Sequence, residues 1–184
     1  TFDQTAPTVT SVNANKADGS YNSGESIPVY ILTDEAITVD TTSGTPSILL
    51  ETGDNDDAVA YSSGSGTQIL YFNYTVGTGD TSSDLDYAST SALVLNSGTM
   101  TDAAGNALVL TLPTVGALNS LGANKNLIID TTVPAFSSVS PSTNSSVLNA
   151  NVGYTLSEAI ASGTVTYTRT GGTADGDSPH TANL

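Results

Sequence analysis

Cysteine and tryptophan are absent from the 184 residues, histidine occurs once, and Lys plus Arg number three against 18 Asp plus Glu. The missing cysteine excludes disulfide scaffolds, thiol catalysis and Cys-based zinc sites. A formal net charge of −15 repels phosphate backbones and anionic lipid. Lys16, Lys125 and Arg169 are too scattered to form a basic stripe, so no nucleic-acid partner is expected. His180 is the single side chain whose ordinary pKa lies near neutrality, which leaves proton-transfer catalysis little to work with; the chain is expected not to be an enzyme. Long apolar runs are missing as well. Nothing approaches the roughly 18 residues of a membrane span, and no basic-then-apolar leader follows Thr1, so neither membrane insertion nor a signal peptide within the chain is expected.

What is present suits short strands. Apolar residues make up 38% of the chain and charged residues 11%, with Ser, Thr, Gly, Asn and Asp filling much of the remainder. Val, Ile, Leu and Tyr are too many for a disordered chain and are punctuated by residues that form turns. The main organising feature is a repeat. Asp3-Gln-Thr-Ala-Pro7-Thr-Val-Thr-Ser-Val12 returns as Asp130-Thr-Thr-Val-Pro134-Ala-Phe-Ser-Ser-Val139, and Tyr30-Ile-Leu-Thr-Asp-Glu35-Ala-Ile37 returns as Gly153-Tyr-Thr-Leu-Ser-Glu158-Ala-Ile160, with a shorter loop between the two segments in the second copy. Two beads of one kind therefore lie in tandem: residues 1–6 as a linker from a preceding repeat, 7–130 as the first bead, and 131–184 as the opening part of a second, incomplete one.

Period-two alternation predicts strands in the first bead at 8–12, 26–32, 46–50, 58–61, 68–76, 92–95, 108–112 and 127–129. Turn-forming clusters separate them: 17–20, 52–57, 62–66, 77–80 and 103–106. Short strands at this spacing predict an all-β fold, an antiparallel sandwich. The second bead offers strands at 136–139, 153–156 and 164–169 only. A sandwich missing its later strands keeps unpaired edges and an uncovered face. Its completion is expected from polypeptide continuing past Leu184 or from another chain in a head-to-tail assembly.

The join Asp130-Thr-Thr-Val-Pro134, the Ser157-Glu158-Ala159 step after a strand, Gly79-Asp80 followed by Asp84-Leu85-Asp86-Tyr87, and Thr101-Asp-Ala-Ala-Gly-Asn106 together resemble the bacterial immunoglobulin-like, cadherin-like repeats of large secreted adhesins. The resemblance implies tandem immunoglobulin-like sandwiches on an extracellular or cell-surface protein, serving as stalk, fibre or matrix, with calcium at the domain joins. In such a strand order Asp34, Glu35 and the 101–106 loop sit at the entry end beside Asp3. Asp18, Glu25 and the segment Asp80 to Asp86 sit at the exit end near Asp130, and Glu158 of the second bead faces that junction. Calcium takes six to eight oxygens, and carboxylates held about 5 Å apart repel by a few kcal/mol at intermediate dielectric unless a cation neutralises them. The expected metal residues are Asp84, Asp86, Asp130 and Glu158 at the junction, with Asp3, Glu35 and Asp102 at the entry end. The same acids also read as solvated turn formers, and Asp102 to Asn106 as a hairpin in which Gly105 and Asn106 take positive φ.

Other constellations are weaker. Asp54-Asn-Asp-Asp57 begins like an EF-hand loop but has Val59 where glycine is required and Ser65 where the glutamate should be. Tyr21, Tyr61 and Tyr87 near loops admit an alternative function, a glycan-binding module or an accessory domain of a secreted enzyme. Asn73-Tyr-Thr75 and Asn144-Ser-Ser146 are formal glycosylation sequons. His180 has no second histidine for zinc, the Asp84 and Asp86 pair has no evident cleft for glycoside cleavage, and Lys125 between two asparagines is a poor candidate for an isopeptide staple.

Overall fold

Alternating apolar residues become strands wherever turn formers bound them, and the chain is all-β apart from one helical turn among the described residues. The computed structural model describes residues 2–140, 153–168, 171, 173 and 176–183. Two units separate, Thr1–Thr131 and Thr132–Leu184. The first holds β1 (Val9–Ala14), β2 (Gly19–Tyr21), β3 (Ser26–Asp40), β4 (Ser47–Leu50), β5 (Asp57–Ser63), β6 (Thr67–Thr75), β7 (Thr81–Ser82), β8 (Leu93–Val94), β9 (Thr99–Thr101), the turn α1 (Leu121–Asn124) and β10 (Leu127–Asp130). The second holds β11 (Phe136–Ser140), β12 (Gly153–Leu156), β13 (Thr164–Tyr167) and β14 (His180–Asn183).

In the first unit one curled antiparallel sheet runs β1-β3-β6-β5-β4-β8, with β9 on the far half of β3, and a smaller sheet runs β2-β10-β7. The core lies between them. Ile27, Val29 and Ile31 alternate inward on β3, and Leu70, Phe72 and Tyr74 do so on β6, each with 1% or less of its surface exposed. Burying a side chain of this size contributes about 1.5–3 kcal/mol, so these two central strands carry much of the unit's stability. Leu85, Tyr87, Leu121, Leu127 and Ile129 close the core from the other side.

Three features depart from the strand positions predicted above. The strand expected at 26–32 continues to Asp40, because β9 supplies its second half with a partner through Thr38↔Thr101 and Asp40↔Thr99. The cluster at 17–20, expected as a turn, contributes to β2, which pairs parallel with β10 through Leu127↔Gly19 and Ile129↔Tyr21. Residues 108–112 form no ladder: Leu108 and Leu112 are buried as their alternation implies, but the amides of Leu108, Val109 and Leu112 donate to Met100, Pro7 and Thr90, three separate segments.

In the second unit β11·β12 matches β1·β3 at the two ends of the ladder, while its bulge falls between Ser137 and Ser140 rather than at the position of Val9 to Ser11. Phe136↔Leu156 and Ser140↔Gly153 stand where Val9↔Thr33 and Asn13↔Tyr30 stand in the first. The amide of Ser157 donates to the carbonyl of Ala135 at 2.9 Å, as Asp34 donates to Thr8 at 3.2 Å. Even the cap recurs: the Ala135 amide donates to Ser157 Oγ at 2.8 Å, as the Thr8 amide donates to Asp34 Oδ1 at 2.7 Å.

Candidate metal centre

A bend in β3 brings the carboxylates together. Pairing with β6 is interrupted between Leu32 and Ile37, where the register shifts. The buried hydroxyl of Thr33 holds the bend, donating to the carbonyls of Glu35 at 2.6 Å and Gln68 at 3.1 Å. Such an irregularity re-aims the side chains it contains. Asp34 turns toward β1, accepting from the Thr8 amide and hydroxyl, both at 2.7 Å, and these bonds, the hydroxyl's first, lower its carboxyl below the ordinary range. Glu35 points elsewhere.

One carboxylate oxygen each from Asp3, Glu35 and Asp102 lies within 4.8 Å of the other two. Asp102 is the rigid member and is 4% exposed. Its Oδ1 accepts from the amides of Ala104 and Asn106, both at 2.8 Å, and its Oδ2 accepts from Asn106 Nδ2 at 2.7 Å. Desolvation pushes this carboxyl up, but the bonds from Asn106, Ala104 and Gly105 outweigh it and hold the carboxyl below its ordinary value. Gly105 takes the positive φ expected of it, at 92°; Asn106 does not and serves as the clamp on Asp102 instead. Asp3 is exposed and braced by the Thr5 amide, which donates to its Oδ1 at 2.9 Å. Glu35 is half-buried, and its carboxyl is pushed up, first by desolvation and then by the charges of Asp3, Asp102 and Asp34. Neither described lysine offsets them. Lys16 Nζ lies 3.9 Å from Glu25 and over the ring of Tyr21, while Lys125 Nζ donates to the Lys16 carbonyl at 2.9 Å, beyond the far end of β1. The arrangement places three hard oxygen donors close enough together to hold a metal ion.

The other expected metal residues are placed differently. Asp84 accepts from the Leu127 amide at 3.3 Å. Asp86 is buried and accepts from the amides of Tyr87 at 2.9 Å and Gly116 at 3.0 Å. The two carboxylates converge on Gly122, where a Cβ would stand 3.1 Å from Asp86 Oδ2 and 3.5 Å from Asp84 Oδ2. Asp130 ends β10 opposite Thr81. Among the described residues of the first unit, Asp84, Asp86 and Asp130 form no group of three like that at the entry end. Glu158 belongs to the second unit, and its Oε1 is buried without a hydrogen-bond partner.

Sequence reasoning missed one acidic cluster. Asp80 Oδ2 accepts from Tyr74 Oη and from the Gly77 amide, both at 2.6 Å, and Asp57 is pushed up by desolvation, by the charge of Asp80 and by a hydrogen bond with it. The signal was available: a core-facing tyrosine at a strand end requires an acceptor for its hydroxyl, and Gly77-Thr-Gly-Asp80 follows Tyr74 closely.

Of the three tyrosines considered for stacking, Tyr87 is fully buried and presents no face, while Tyr21 and Tyr61 pack half-buried against the core. The 52–57 loop is a turn closed on itself by Thr52 Oγ1 donating to the Asn55 carbonyl at 2.9 Å. His180 stands opposite Tyr167 in the β13–β14 ladder. Asn73 lies exposed on β6, whereas Asn144-Ser-Ser146 and Arg169 fall outside the described residues. No helix among the described residues is long and apolar enough to cross a membrane. In comparisons with known proteins, no family model, curated protein or solved structure matches the chain.

Proposed function

We propose that this chain is a structural segment of an extracellular, bacterial-type surface protein or adhesin. In this reading it is a non-catalytic stalk or fibre built from tandem immunoglobulin-like beads and stiffened by calcium. The observation that carries the reading is the duplication of the bead entry. Asp3, the Thr8–Asp34 clasp and Glu35 in the first unit have counterparts in Asp130, the Ala135–Ser157 clasp and Glu158 in the second. Two of the three carboxylates at the bead entry recur by sequence with the bead, and a repeating feature scales with bead number, which suits a mechanical role better than a single recognition site. In the first unit Asp3, Glu35 and Asp102 hold the cation. By sequence, Asp130 and Glu158 are the counterparts of Asp3 and Glu35.

The test is a melting curve of the 184-residue protein in millimolar Ca²⁺ and again with chelator. Binding to the folded state alone stabilises by about 2.7 kcal/mol at a hundredfold excess of free ion over Kd, a rise of several degrees in Tm. Superimposable curves would refute the cation. A second reading, glycan binding, has one observation in its favour: Tyr30 and Tyr71, with ring centroids 5.6 Å apart, line a groove of about 470 Å³ together with Asn13, Asn15, Asn124 and Lys125. Specific binding on a glycan array that is lost in Tyr71→Ala would favour that reading over a pure stalk.

A further inference from the structure

Tyr74 reaches the end of β6 with its ring in the core and its hydroxyl in need of an acceptor. The turn that follows supplies one. Asp80 folds back so that its Oδ2 accepts from Tyr74 Oη and from the Gly77 amide, and the fit is close: a Cβ on Gly77 would stand 3.0 Å from Oδ2 and 3.1 Å from Oδ1. The main chain of the same turn holds the last residue of the first unit. Thr131 Oγ1 donates to the Asp80 carbonyl and accepts from the Gly79 amide, both at 3.0 Å, while the Thr81 amide donates to the Thr52 carbonyl at 2.9 Å. One carboxylate thus shapes the turn that fastens both the 52–57 loop and the end of the unit.

A second carboxyl meets Asp80 from the sheet. Asp57 opens β5 opposite Leu50 and lines a shallow depression with Asn73, Tyr74 and Thr75. It is hydrogen-bonded to Asp80, and two carboxyl groups share a hydrogen bond only when one of them carries a proton. Asp80 already accepts two bonds as an anion, so the proton belongs to Asp57. The charges that face the pair are its own: Asp80 acts on Asp57, and both act on the Tyr74 hydroxyl. Glu51, Asp54 and Asp56 are exposed on the segment leading to Asp57, Asp130 is exposed at the end of β10, and the described lysines lie with Glu25 and the Lys16 carbonyl. Loss of the proton would leave two like charges in contact with no cation to offset them.

We propose that the Asp57–Asp80 pair is a pH-sensitive latch: one proton shared between the carboxyls locks the 77–80 turn onto Thr131, and its loss between acid and neutral pH drives the carboxylates apart and frees residues 79–81 and 131. The direction follows from Asp57, whose carboxyl is pushed above the ordinary range by desolvation first and then by the charge of Asp80. Stability from such a group is complete below its unfolded value and is lost as pH rises through the folded one. Neither the entry-end carboxylates nor a metal ion takes part.

The test is hydrogen exchange by NMR on the 184-residue protein from acid to neutral pH, as protection factors corrected for intrinsic exchange, in chelator and again in millimolar Ca²⁺. Protection at the Gly77, Gly79 and Thr81 amides should fall by about fivefold to tenfold, the worth of one hydrogen bond, in step with the titration of the Asp57 carboxyl carbon. The paired residues Val29 and Phe72 should keep theirs. Asp57→Asn, whose amide donates to Asp80 at any pH, should hold the turn protected throughout. Thr131→Val should leave Gly79 unprotected at both ends of the range while Asp57 still titrates, because it removes the anchor and not the sensor. Titration of Asp57 within the ordinary aspartate range, protection at 77–81 that ignores pH, or a decline that persists in Asp57→Asn would each overturn the latch. So would protection restored by Ca²⁺ at neutral pH, because the pair would then be a cation site.

Discussion

Asp34 and Glu35 are adjacent acids with opposite fates, and the difference determines what each can be asked to do. Asp34 is tied to Thr8 and serves the backbone, whereas Glu35 is left among like charges with its carboxyl raised. A group whose folded pKa exceeds its unfolded value adds stability that is present below the unfolded value and lost as pH rises through the folded one. Without divalent ions, the first unit should therefore lose stability as pH climbs above the ordinary glutamate range, and Glu35→Gln should raise Tm at neutral pH. With millimolar Ca²⁺ the order should invert. The ion keeps the carboxylates charged, so the unmodified protein gains in Tm while Glu35→Gln gains little, and a pair of melting curves per variant reads both signs. Asp57 gives a second pH signature, since its carboxyl is raised by desolvation and then by Asp80. Asp57→Asn should flatten the decline in Tm between acid and neutral pH whether or not calcium is present, which separates this cluster from the entry-end group.

Among the elements, the two halves of β3 and the loops that cross near them carry the architecture. Gly44 and Gly98 meet where those loops pass: a Cβ on Gly44 would fall 1.7 Å from the Asn96 carbonyl oxygen, and one on Gly98 would fall 2.4 Å from the Gly44 carbonyl oxygen. Backbone is on both sides, so neither loop yields cheaply. Gly44→Ala should cost about 1–3 kcal/mol in denaturant unfolding, the cost of overpacking a tight site. Phe72→Ala, which empties the middle of β6, should cost about 3–5 kcal/mol. Much of this was legible beforehand. The alternation of Ile27, Val29 and Ile31, and of Leu70, Phe72 and Tyr74, marks core faces without help from tertiary structure, and the repeat located the second unit's hairpin. The bend at Thr33 was not legible, because it depends on the Gln68 carbonyl being within reach of a hydroxyl far away in sequence. The parallel strand β2 escaped for the same reason: Gly19-Ser20 resembles a turn until β10 lies beside it. Of the entry-end acids, Asp3, Glu35 and Asp102 were all named, but their convergence rests on that bend and on the Asn106 clamp, neither of which has a local signature.

At the scale of the whole molecule, charge and lysine placement govern how a protease meets it. Lys16 has its ammonium beside Glu25 and its carbonyl held by Lys125 Nζ, and the amides of Lys125 and Asn126 donate to the Leu121 carbonyl and to Asp18 Oδ1, so both peptide bonds open to trypsin in the first unit lie in anchored backbone. The first unit should survive prolonged trypsin at neutral pH as a single band, and early cleavage after Lys16 or Lys125 would contradict this fold. The parallel ladder of β2 and β10 has a mechanical corollary. Gly19, Ser20 and Tyr21 lie beside Leu127, Ile128 and Ile129 with both strands running the same way, near the start and the end of the unit. A tension applied between Gly19 and Asp130 would drag these strands past one another lengthwise, loading their hydrogen bonds together, with the Gly19 amide on the Asn126 carbonyl sharing the load. Peeling an antiparallel edge would instead break bonds one at a time. Shear of this kind makes the unfolding rate under load, rather than the equilibrium stability, the property that decides how long the bead holds.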